Sequence, residues 1–261
     1  MTYRSPFRYS SEEREAKRVY RKTNPVPGSP WTDGPVDDIC SINLVPPETL
    51  VSFFQSCIEK LQELKGNQIG DYLEFGVFNG ISIGSMHAAR TQANLIDYTR
   101  LFGFDSFQGL PPGSEEEDGG VWKTGYYACS FDQTQSCLRQ RGIAPNDIEW
   151  IQGWYNETLT PSLAQKFNFQ NLGIVFVDCD TYSSSKTVMD FVAPLITSPA
   201  IFCFDDWKLN DLDLMEEGEY RSFNEFLEEN HHIVATEVPS YNRKSKSFMV
   251  QPQSWTMQPR I

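Results

Sequence analysis

The stretch of residues 72–82, YLEFGVFNGIS, constrains the fold of this chain more than any other part of its sequence. It begins as an apolar, strand-like run that carries an acid, Glu74, and continues through a turn with Gly76 and Gly80 into the start of a helix. Because glycine has no Cβ, the backbone there can pass close to a ligand. In open α/β sheets a nucleotide-like cofactor binds at the carboxyl end of the first strand. The stretch therefore predicts an α/β sheet with a cofactor at this turn.

The chemistry of the turn distinguishes between cofactors. Its glycines do not have the G-x-G-x-x-G spacing of a dinucleotide site, and Glu74 stands where the turn begins. A carboxylate repels a pyrophosphate but attracts a cationic amino-acid group. These observations favour S-adenosylmethionine (SAM) over NAD.

Strand-like and helix-like segments alternate from residue 69 onward, which implies a mostly parallel sheet with helices on both faces. Two strands with no helix between them end the pattern, as in the antiparallel C-terminal hairpin typical of class I methyltransferases. We therefore predict an α/β, Rossmann-like sheet of that class. The predicted strands are residues 69–75, 99–104, 147–152, 172–177, 200–204, 232–238 and 247–251, and the predicted helices are residues 82–93, 130–141, 162–167, 184–195 and 220–229.

The chain divides into an N-terminal arm, residues 1–45, and one domain, residues 46–261. The arm is rich in proline and mixed charge, and we expect it to be extended or partly helical, with one short helix at residues 12–21. It is either disordered or wrapped over the domain or over a neighbouring subunit. A helix that begins near Pro46 and stops near Gly66 opens the domain.

A segment of about 20 residues, 108–128, interrupts the alternation with many glycines, prolines and acids. A loop of this length inside a compact domain is usually a lid or a disordered segment. It directly follows the carboxyl end of the second strand, so it hangs over the predicted cofactor site. We therefore predict a lid.

Bulk composition excludes several classes of protein. The formal net charge of −13 argues against a nucleic-acid partner, which needs a basic face. No apolar run reaches the length that crosses a bilayer, and the N-terminus lacks the features of a signal peptide, so we expect a cytoplasmic protein without a membrane partner. The six cysteines form no C-x-x-C pair, which predicts reduced cysteines rather than a disulfide framework or a zinc site.

Acids follow or end four of the predicted strands. They are Glu74, Asp105, Asp178 and the pair Asp205 and Asp206. One such acid alone is often only a helix cap, but the carboxyl ends of parallel strands lie along one edge and bring their acids into one crevice. We interpret Asp105 as the acceptor of hydrogen bonds from the ribose hydroxyls of a nucleoside, with a simple turn residue before Ser106 as the alternative.

Asp178, Asp205 and Asp206 form a second group, at two neighbouring strand ends. Three carboxylates suit Mg²⁺ or Ca²⁺ and make a poor zinc site. Without a cation they would repel one another and raise one another's pKa. The alternative is that Asp180 or Asp206 caps the next segment or pairs with a lysine such as Lys186 or Lys208.

With these residues in place, the chain resembles the macrocin O-methyltransferase (TylF/MycF-type) family of SAM-dependent enzymes. The phenylalanine-rich FDSFQGLP element and the D-x-D-x-Y element together are much more specific than a generic SAM turn. The matching segments, which span roughly residues 46–250 in the family's order, are residues 72–80, 102–111, 153–159, 177–185 and 204–207.

The resemblance implies methyl transfer from SAM to a sugar hydroxyl, usually on an antibiotic or another natural product, with Mg²⁺ dependence. It also implies roles for individual residues. The methionine part of SAM would be surrounded by Glu74, Gly76, Gly80 and Ser82; the ribose would contact Asp105 and Ser106; the adenine would border Gln152, Gly153 and Trp154; and the metal would be held by Asp178, Asp205 and Asp206. Asp178, which also borders the cofactor, would serve as general base.

The sequence departs from the family pattern in its lid. Related lids carry a histidine near the segment that here contains Lys123, which makes Lys123 the second candidate catalytic residue beside Asp178. A lysine is a poor base unless burial lowers its pKa. The expected partner is a small glycosylated or polyhydroxylated acceptor, and the family favours a homo-oligomer.

Three alternatives to a SAM- and Mg²⁺-dependent O-methyltransferase are considered. One is a non-catalytic SAM-fold binding module, which the intact group of acids disfavours. Another is a metal-independent methyltransferase acting on a different small molecule. The last is a nucleotide-dependent oxidoreductase, which Glu74 and the missing G-x-G-x-x-G motif disfavour.

Overall fold

A seven-stranded sheet forms the centre of the protein in the computed structural model, which describes residues 8–23, 38–169 and 171–256. The strand order is β3-β2-β1-β4-β5-β7-β6, and the first five strands of this order are parallel, while β7 is antiparallel to both of its neighbours. This confirms the predicted mostly parallel sheet with a C-terminal hairpin. The strands are β1 Asp71–Phe75, β2 Leu101–Asp105, β3 Glu149–Gln152, β4 Leu172–Val177, β5 Ala200–Phe204, β6 Ile233–Val238 and β7 Lys246–Pro252.

Helices cover both faces of the sheet, as predicted. Side chains alternate along each strand, so Tyr72 packs into one apolar core and Leu73 into the other. Both sides of β4 are buried, which explains why its sequence is an uninterrupted apolar run. The helices are α1 Ser11–Thr23, α2 Pro47–Lys65, α3 Ile81–Gln92, α4 Phe131–Gln140, α5 Tyr155–Thr158, α6 Pro161–Phe167, α7 Tyr182–Val192, α8 Leu212–Met215 and α9 Gly218–Glu229.

The charged helix predicted at residues 12–21 corresponds to α1, which lies against the domain. Arg18 pairs with Glu217 at 2.7 Å, and Arg14 pairs with Glu216. These contacts place the start of the arm on the segment that precedes α9. Most of the rest of the arm, residues 24–37, lies outside the described residues.

A disulfide between Cys40 and Cys137 contradicts the expectation that the cysteines are reduced. It joins the segment before α2 to α4, with 5.0 Å between the two Cα atoms. The two residues are 97 positions apart, so their spacing gave no sign that the fold brings them together. The other four cysteines are free and buried. Disulfides persist in oxidising environments and are rare in cytosolic proteins, so this disulfide does not support the predicted cytoplasmic location. That location stays a prediction.

None of the helices in the described part of the chain is both long enough and apolar enough to cross a membrane.

Candidate active site

A cavity of about 1000 Å³ opens at the carboxyl ends of the parallel strands. The loops after β1, β2, β4 and β5 form its floor, and the segment before α2, the lid and the loop between β6 and β7 form its walls. This is the crevice where an open α/β sheet binds ligands. The acids predicted from the sequence all belong to loops or strand ends at this cavity.

The glycine turn after β1 lies where it was predicted, but the reason that it needs glycine is different from the predicted one. Gly76 has a φ of +91°, and a Cβ on it would lie 1.6 Å from the backbone oxygen of Asp178. Gly80 has a φ of +80°, and a Cβ there would be 3.0 Å from the side chain of Leu138. Gly76 lines the cavity and Gly80 does not. Close packing against the protein itself therefore requires these glycines.

Glu74 lies behind the cavity wall. Its side chain is fully buried, and it accepts hydrogen bonds from the hydroxyl of Tyr72 and from Ser82 Oγ, the latter at 2.7 Å. Ser82 itself lines the cavity. Burial raises the pKa of Glu74 to about 8, against the opposing effect of the two hydroxyl donors. The carboxyl group thus lies one hydrogen bond away from the position expected for the methionine part of SAM.

Asp105 joins the loops that follow β1 and β2. Its Oδ2 accepts hydrogen bonds from the backbone N–H groups of Val77 at 2.8 Å and Phe78 at 3.0 Å, and its Oδ1 accepts one from Phe107 at 2.6 Å. Burial raises its pKa, and these N–H donors oppose that shift. Since each carboxylate oxygen has two lone pairs, Oδ1 keeps one for a further donor. Ser106, the next residue, lines the same part of the cavity.

The predicted adenine residues follow β3. Gly153 and Trp154 line the cavity, and the N–H of Gly153 donates to the backbone oxygen of Asp105 at 3.0 Å. Gln152 is exposed and does not line the cavity. The structure therefore places two of the three predicted residues at the site.

Asp178, Asp205 and Asp206, called here the acid trio, come together at the ends of β4 and β5. One carboxylate oxygen from each lies within 4.8 Å of the others. The parallel ladder sets this arrangement, because the N–H of Asp178 donates to Phe75 and the N–H of Asp205 donates to Val177. The structure thus brings together the three residues predicted to hold a metal.

The electrostatics of the acid trio favour a bound cation. Burial, followed by repulsion from Asp205 and Asp206, raises the pKa of Asp178 well above its usual range. The same two causes, burial and Asp206, raise the pKa of Asp205 to about 7. Of the lysines considered as partners, Lys186 pairs instead with Asp190 and Glu229.

Helix capping does not account for these acids either. Thr181, and not Asp180, caps α7, because its Oγ1 accepts the N–H of Ser184. The helical turn that follows Asp206, Leu209–Asp211, has Lys208 and not Asp206 at its N-cap.

The lid folds over the cavity and is attached to two helix N-termini. Asp118 accepts hydrogen bonds from Trp122 Nε1 at 3.1 Å and from the N–H groups of Tyr182 and Gly218, both at 2.8 Å. Glu117 accepts from the N–H and hydroxyl of Ser183. The lid therefore has two fixed acids at its centre.

Lys123 is not brought to the cavity. It is exposed, it does not line the cavity, and its Nζ lies 5.7 Å from the ring centroid of Tyr126. The lid presents Tyr126 and Tyr127 to the cavity instead. Burial and the nearby acids raise the pKa of Tyr127 above its usual range, so its phenol is a hydrogen-bond donor at neutral pH.

Comparison with known proteins identifies the family. The sequence model described as macrocin O-methyltransferase (TylF) matches residues 48–239. The chain belongs to this family. Its members are SAM-dependent O-methyltransferases, and this family member is therefore one too. A search of the curated proteins found no match.

Solved structures of methyltransferases have the same fold as this family member. The O-methyltransferase NovP superimposes with a TM-score of 0.62 at 16% identity, over 78% of this chain and 80% of NovP. The calicheamicin methyltransferase CalS11 gives 0.52 at 19%, over 95% of each chain. TomG from Streptomyces achromogenes, solved with SAM, gives 0.51 at 16%, over 95% of this chain and 92% of TomG. Identities this low show the fold alone.

Three residues of the site were missed by sequence reasoning as functional residues. Asp180 is buried beside the acid trio, and its place two residues after Asp178 was an available signal. Tyr127 lines the cavity from the lid. Tyr241 donates its hydroxyl to Asp205 from the loop between β6 and β7, and no spacing in the sequence indicates this contact.

Proposed function

We propose that this family member transfers the methyl group of SAM to a hydroxyl of a sugar or another small natural product, with Mg²⁺ or a similar divalent cation at the acid trio. The observation that carries the proposal is that the acid trio faces the same cavity as Asp105 and the glycine turn. A methyl donor at one end and an acceptor at the other can therefore meet within one cavity.

The cofactor residues support SAM as the methyl donor. The free lone pair on Asp105 Oδ1 suits a ribose hydroxyl. Gly153 and Trp154 lie beyond it, on the side expected for adenine. Ser82, backed by the carboxyl of Glu74, is on the side expected for the methionine part. These positions follow the order in which a nucleoside with an amino-acid tail would cross the strand ends.

The donor set of the acid trio fits a hard divalent cation. Carboxylate oxygens are the ligands that Mg²⁺ prefers, while zinc sites use histidine and cysteine. In the described ion pairs, no basic side chain neutralises any member of the trio. A bound divalent cation would supply charge that relieves the repulsion and would lower the pKa of an acceptor hydroxyl.

The residues of the chain then carry out positioning and proton transfer. The acceptor oxygen forms a bond to the methyl carbon, the carbon–sulfur bond breaks, and S-adenosylhomocysteine leaves. The proton of the acceptor hydroxyl goes to the carboxylate of Asp178, the member of the trio that lies against the glycine turn. The lid residues Tyr126 and Tyr127 close the cavity and exclude water.

The nature of the acceptor is supported by two of the similar structures. CalS11 is described as a TDP-rhamnose 3'-O-methyltransferase, and TomG as involved in tomaymycin synthesis. A polyhydroxylated acceptor also suits a cavity whose acceptor end carries carboxylates and tyrosines. We therefore propose a small sugar-bearing or polyhydroxylated acceptor.

Calorimetry with SAM and with NADH, each with and without Mg²⁺, separates the candidate functions. We expect SAM to bind and NADH to show no heat of binding. We then expect methyl transfer from labelled SAM to a panel of hydroxylated acceptors, with a loss of activity in Asp205→Ala. If Asp205→Ala transfers methyl groups as fast as the wild type, the protein is a metal-independent methyltransferase. If SAM binds but no acceptor is methylated, a binding module is supported.

A further inference from the structure

The loop between β6 and β7, residues 239–245, carries two basic residues to the acceptor end of the cavity. Arg243 and Lys244 line the cavity, together with Asn242. The loop is fixed there, because Tyr241 donates its hydroxyl to Asp205 and its ring stacks on Phe176, with 5.8 Å between the centroids. The loop that carries Arg243 and Lys244 is therefore anchored through Tyr241 to a member of the acid trio.

Lys208, three residues after Asp205, adds a third cation to this place. Its N–H donates to the backbone oxygen of Lys244 at 2.8 Å, which joins the loop after β5 to the loop between β6 and β7. We call Lys208, Arg243 and Lys244 the cation cluster. The cluster therefore stands on two loops that are hydrogen-bonded to each other.

The side chains of the cation cluster are exposed and take part in none of the ion pairs or side-chain hydrogen bonds found among the described residues. The neighbouring Lys246 differs, since it pairs with Glu237 at 2.6 Å. Acids outnumber basic residues by 35 to 22 in this chain, so three unpaired cations side by side are not expected from composition. They place three positive charges close together on an acidic protein.

A second cavity, of about 740 Å³, lies beside the first, and its lining contains three basic residues and one acid, Glu237. Lys208, Arg243 and Lys246 contribute to its wall, and it shares Asn242 and Arg243 with the main cavity. An acceptor whose hydroxyl lies at the acid trio could therefore extend another of its groups into this second cavity.

Balancing the charge of the acid trio explains only part of the cluster. Burial raises the pKa of Asp205 and Asp206, and the charge of Lys244 opposes part of that rise. Burial also raises the pKa of Asp213, where Lys208 is one of the groups that oppose the rise. Arg243 is not among the groups that act on Asp205 or Asp206. Lys208 and Arg243 thus do not balance the charge of the acid trio, and both side chains are exposed.

We propose that the cation cluster is a binding subsite for a phosphate or diphosphate group on the methyl acceptor. The inference rests on the proposed function, because it places the acceptor hydroxyl at the acid trio. An arginine together with two lysines suits phosphate oxygens, since a guanidinium can donate two parallel hydrogen bonds and each lysine adds a point charge. The acceptor class is then a phosphorylated sugar or a sugar nucleotide, and not a neutral glycoside.

Binding of inorganic pyrophosphate to the full chain tests the subsite without knowledge of the acceptor. The titration is done by calorimetry with saturating S-adenosylhomocysteine, and with EDTA so that pyrophosphate cannot bind through a metal. We expect the double variant Arg243→Gln, Lys244→Gln to weaken the affinity about tenfold or more, since charge-assisted hydrogen bonds are lost. The control Lys60→Gln, Lys166→Gln removes the same charge from exposed positions on α2 and α6 and should leave the affinity within about twofold.

Pyrophosphate that fails to bind, or binds equally to the wild type and the cation variant, overturns the proposal. S-adenosylhomocysteine binding and Mn²⁺ binding, measured on separate portions of the same protein preparations without EDTA or added cofactor product, report on the proposed function separately. If both ligands bind and pyrophosphate does not, only the subsite is wrong. Parallel titrations with glucose 1-phosphate and UDP-glucose identify the source of the phosphate: tighter binding of UDP-glucose, lost in the cation variant, indicates a sugar nucleotide, and the reverse order indicates a sugar phosphate.

Discussion

The two ends of the cavity use their acids in opposite ways. At the cofactor end, Asp105 accepts three backbone N–H groups and Glu74 accepts two hydroxyls, so these acids hold the loops together. At the acceptor end, the members of the acid trio face one another within 4.8 Å and lack basic partners among the described ion pairs. The acids at the cofactor end thus have hydrogen-bond donors within the protein, while the charge of the acids at the acceptor end is left for a ligand to balance.

The greatest effect is expected at the close approach between the two ends, at Gly76. Gly76→Ala forces a Cβ into the backbone oxygen of Asp178. Gly113 has the same φ of +91° but open space around it, so Gly113→Ala is the matched control. We expect Gly76→Ala to lose more than about 4 kcal/mol of unfolding free energy or to fail to fold. Gly113→Ala should lose only about 1 kcal/mol, from backbone strain. Equal losses in urea unfolding would show that the approach of β1 and β4 is not tight.

The disulfide has the next largest effect and belongs to the cofactor end. It fixes Cys40, next to the cavity-lining Ile42, onto α4. We expect the Cys40→Ser, Cys137→Ser variant to lose about 2–4 kcal/mol of unfolding free energy. Without the disulfide the unfolded chain is no longer closed into a large loop, so its conformational entropy is higher. The wild type treated with a thiol reductant should show the same loss. Detection of six free thiols in the untreated, unfolded protein would contradict this account.

Asp105 and Asp205 are expected to affect stability with opposite signs. Asp105→Asn leaves at least one backbone N–H without its carboxylate partner and should cost about 1–3 kcal/mol. Asp205→Asn removes repulsion from the metal-free acid trio and should stabilise the protein by about 1 kcal/mol or more. Urea unfolding of both variants in EDTA checks the signs. If both variants are destabilised, the two ends do not differ as described.

The pH dependence of the metal-free protein sharpens the same contrast. The folded pKa of Asp205 is raised to about 7, so between its unfolded value near 4 and 7 the folded protein holds a proton that the unfolded chain has lost. The free energy of unfolding therefore falls as the pH rises through this window. Asp205→Asn should flatten that slope, and Mg²⁺ should offset the loss near pH 7. If the pH dependence of the unfolding free energy is unchanged in the variant, other groups and not Asp205 cause it.

The smallest of these effects is expected at the lid. Asp118→Asn keeps one acceptor oxygen for three donors, which leaves at least one of them unpaired and costs about 1 kcal/mol. Hydrogen exchange in residues 108–128 should accelerate, since the lid detaches more often from α7 and α9. Glu116→Gln, at an exposed position of the same loop, is the control. Faster exchange in both variants would show that Asp118 is not the attachment.

The fold could be predicted from the sequence wherever burial alone determines structure. The bounds of β4 and β5 agree with the predicted residues 172–177 and 200–204, because strands covered on both faces are continuous apolar runs. The acid trio was also predictable, since parallel strands place their carboxyl ends side by side.

The rest depends on contacts between parts of the chain that are distant in sequence. Nothing near Cys40 indicates that Cys137 lies opposite, and nothing near Tyr241 indicates that its hydroxyl reaches Asp205. Lys123 was expected at the site because it lies in the segment where related lids carry a histidine, but Val121 and Trp122 are buried and Lys123 faces solvent. Local pattern gives the existence of the lid and not its orientation.

Ligand binding to the Asp178→Asn, Asp205→Asn variant tests the central claim, that the cavity has separate cofactor and acceptor ends, most directly. Mn²⁺ binding is followed by electron paramagnetic resonance, and S-adenosylhomocysteine binding by calorimetry, on the same protein. The account predicts that the wild type binds both ligands and that the variant loses Mn²⁺ binding while its affinity for S-adenosylhomocysteine stays within about threefold. A variant that binds Mn²⁺ as tightly as the wild type, or that loses both ligands while remaining folded, would contradict it.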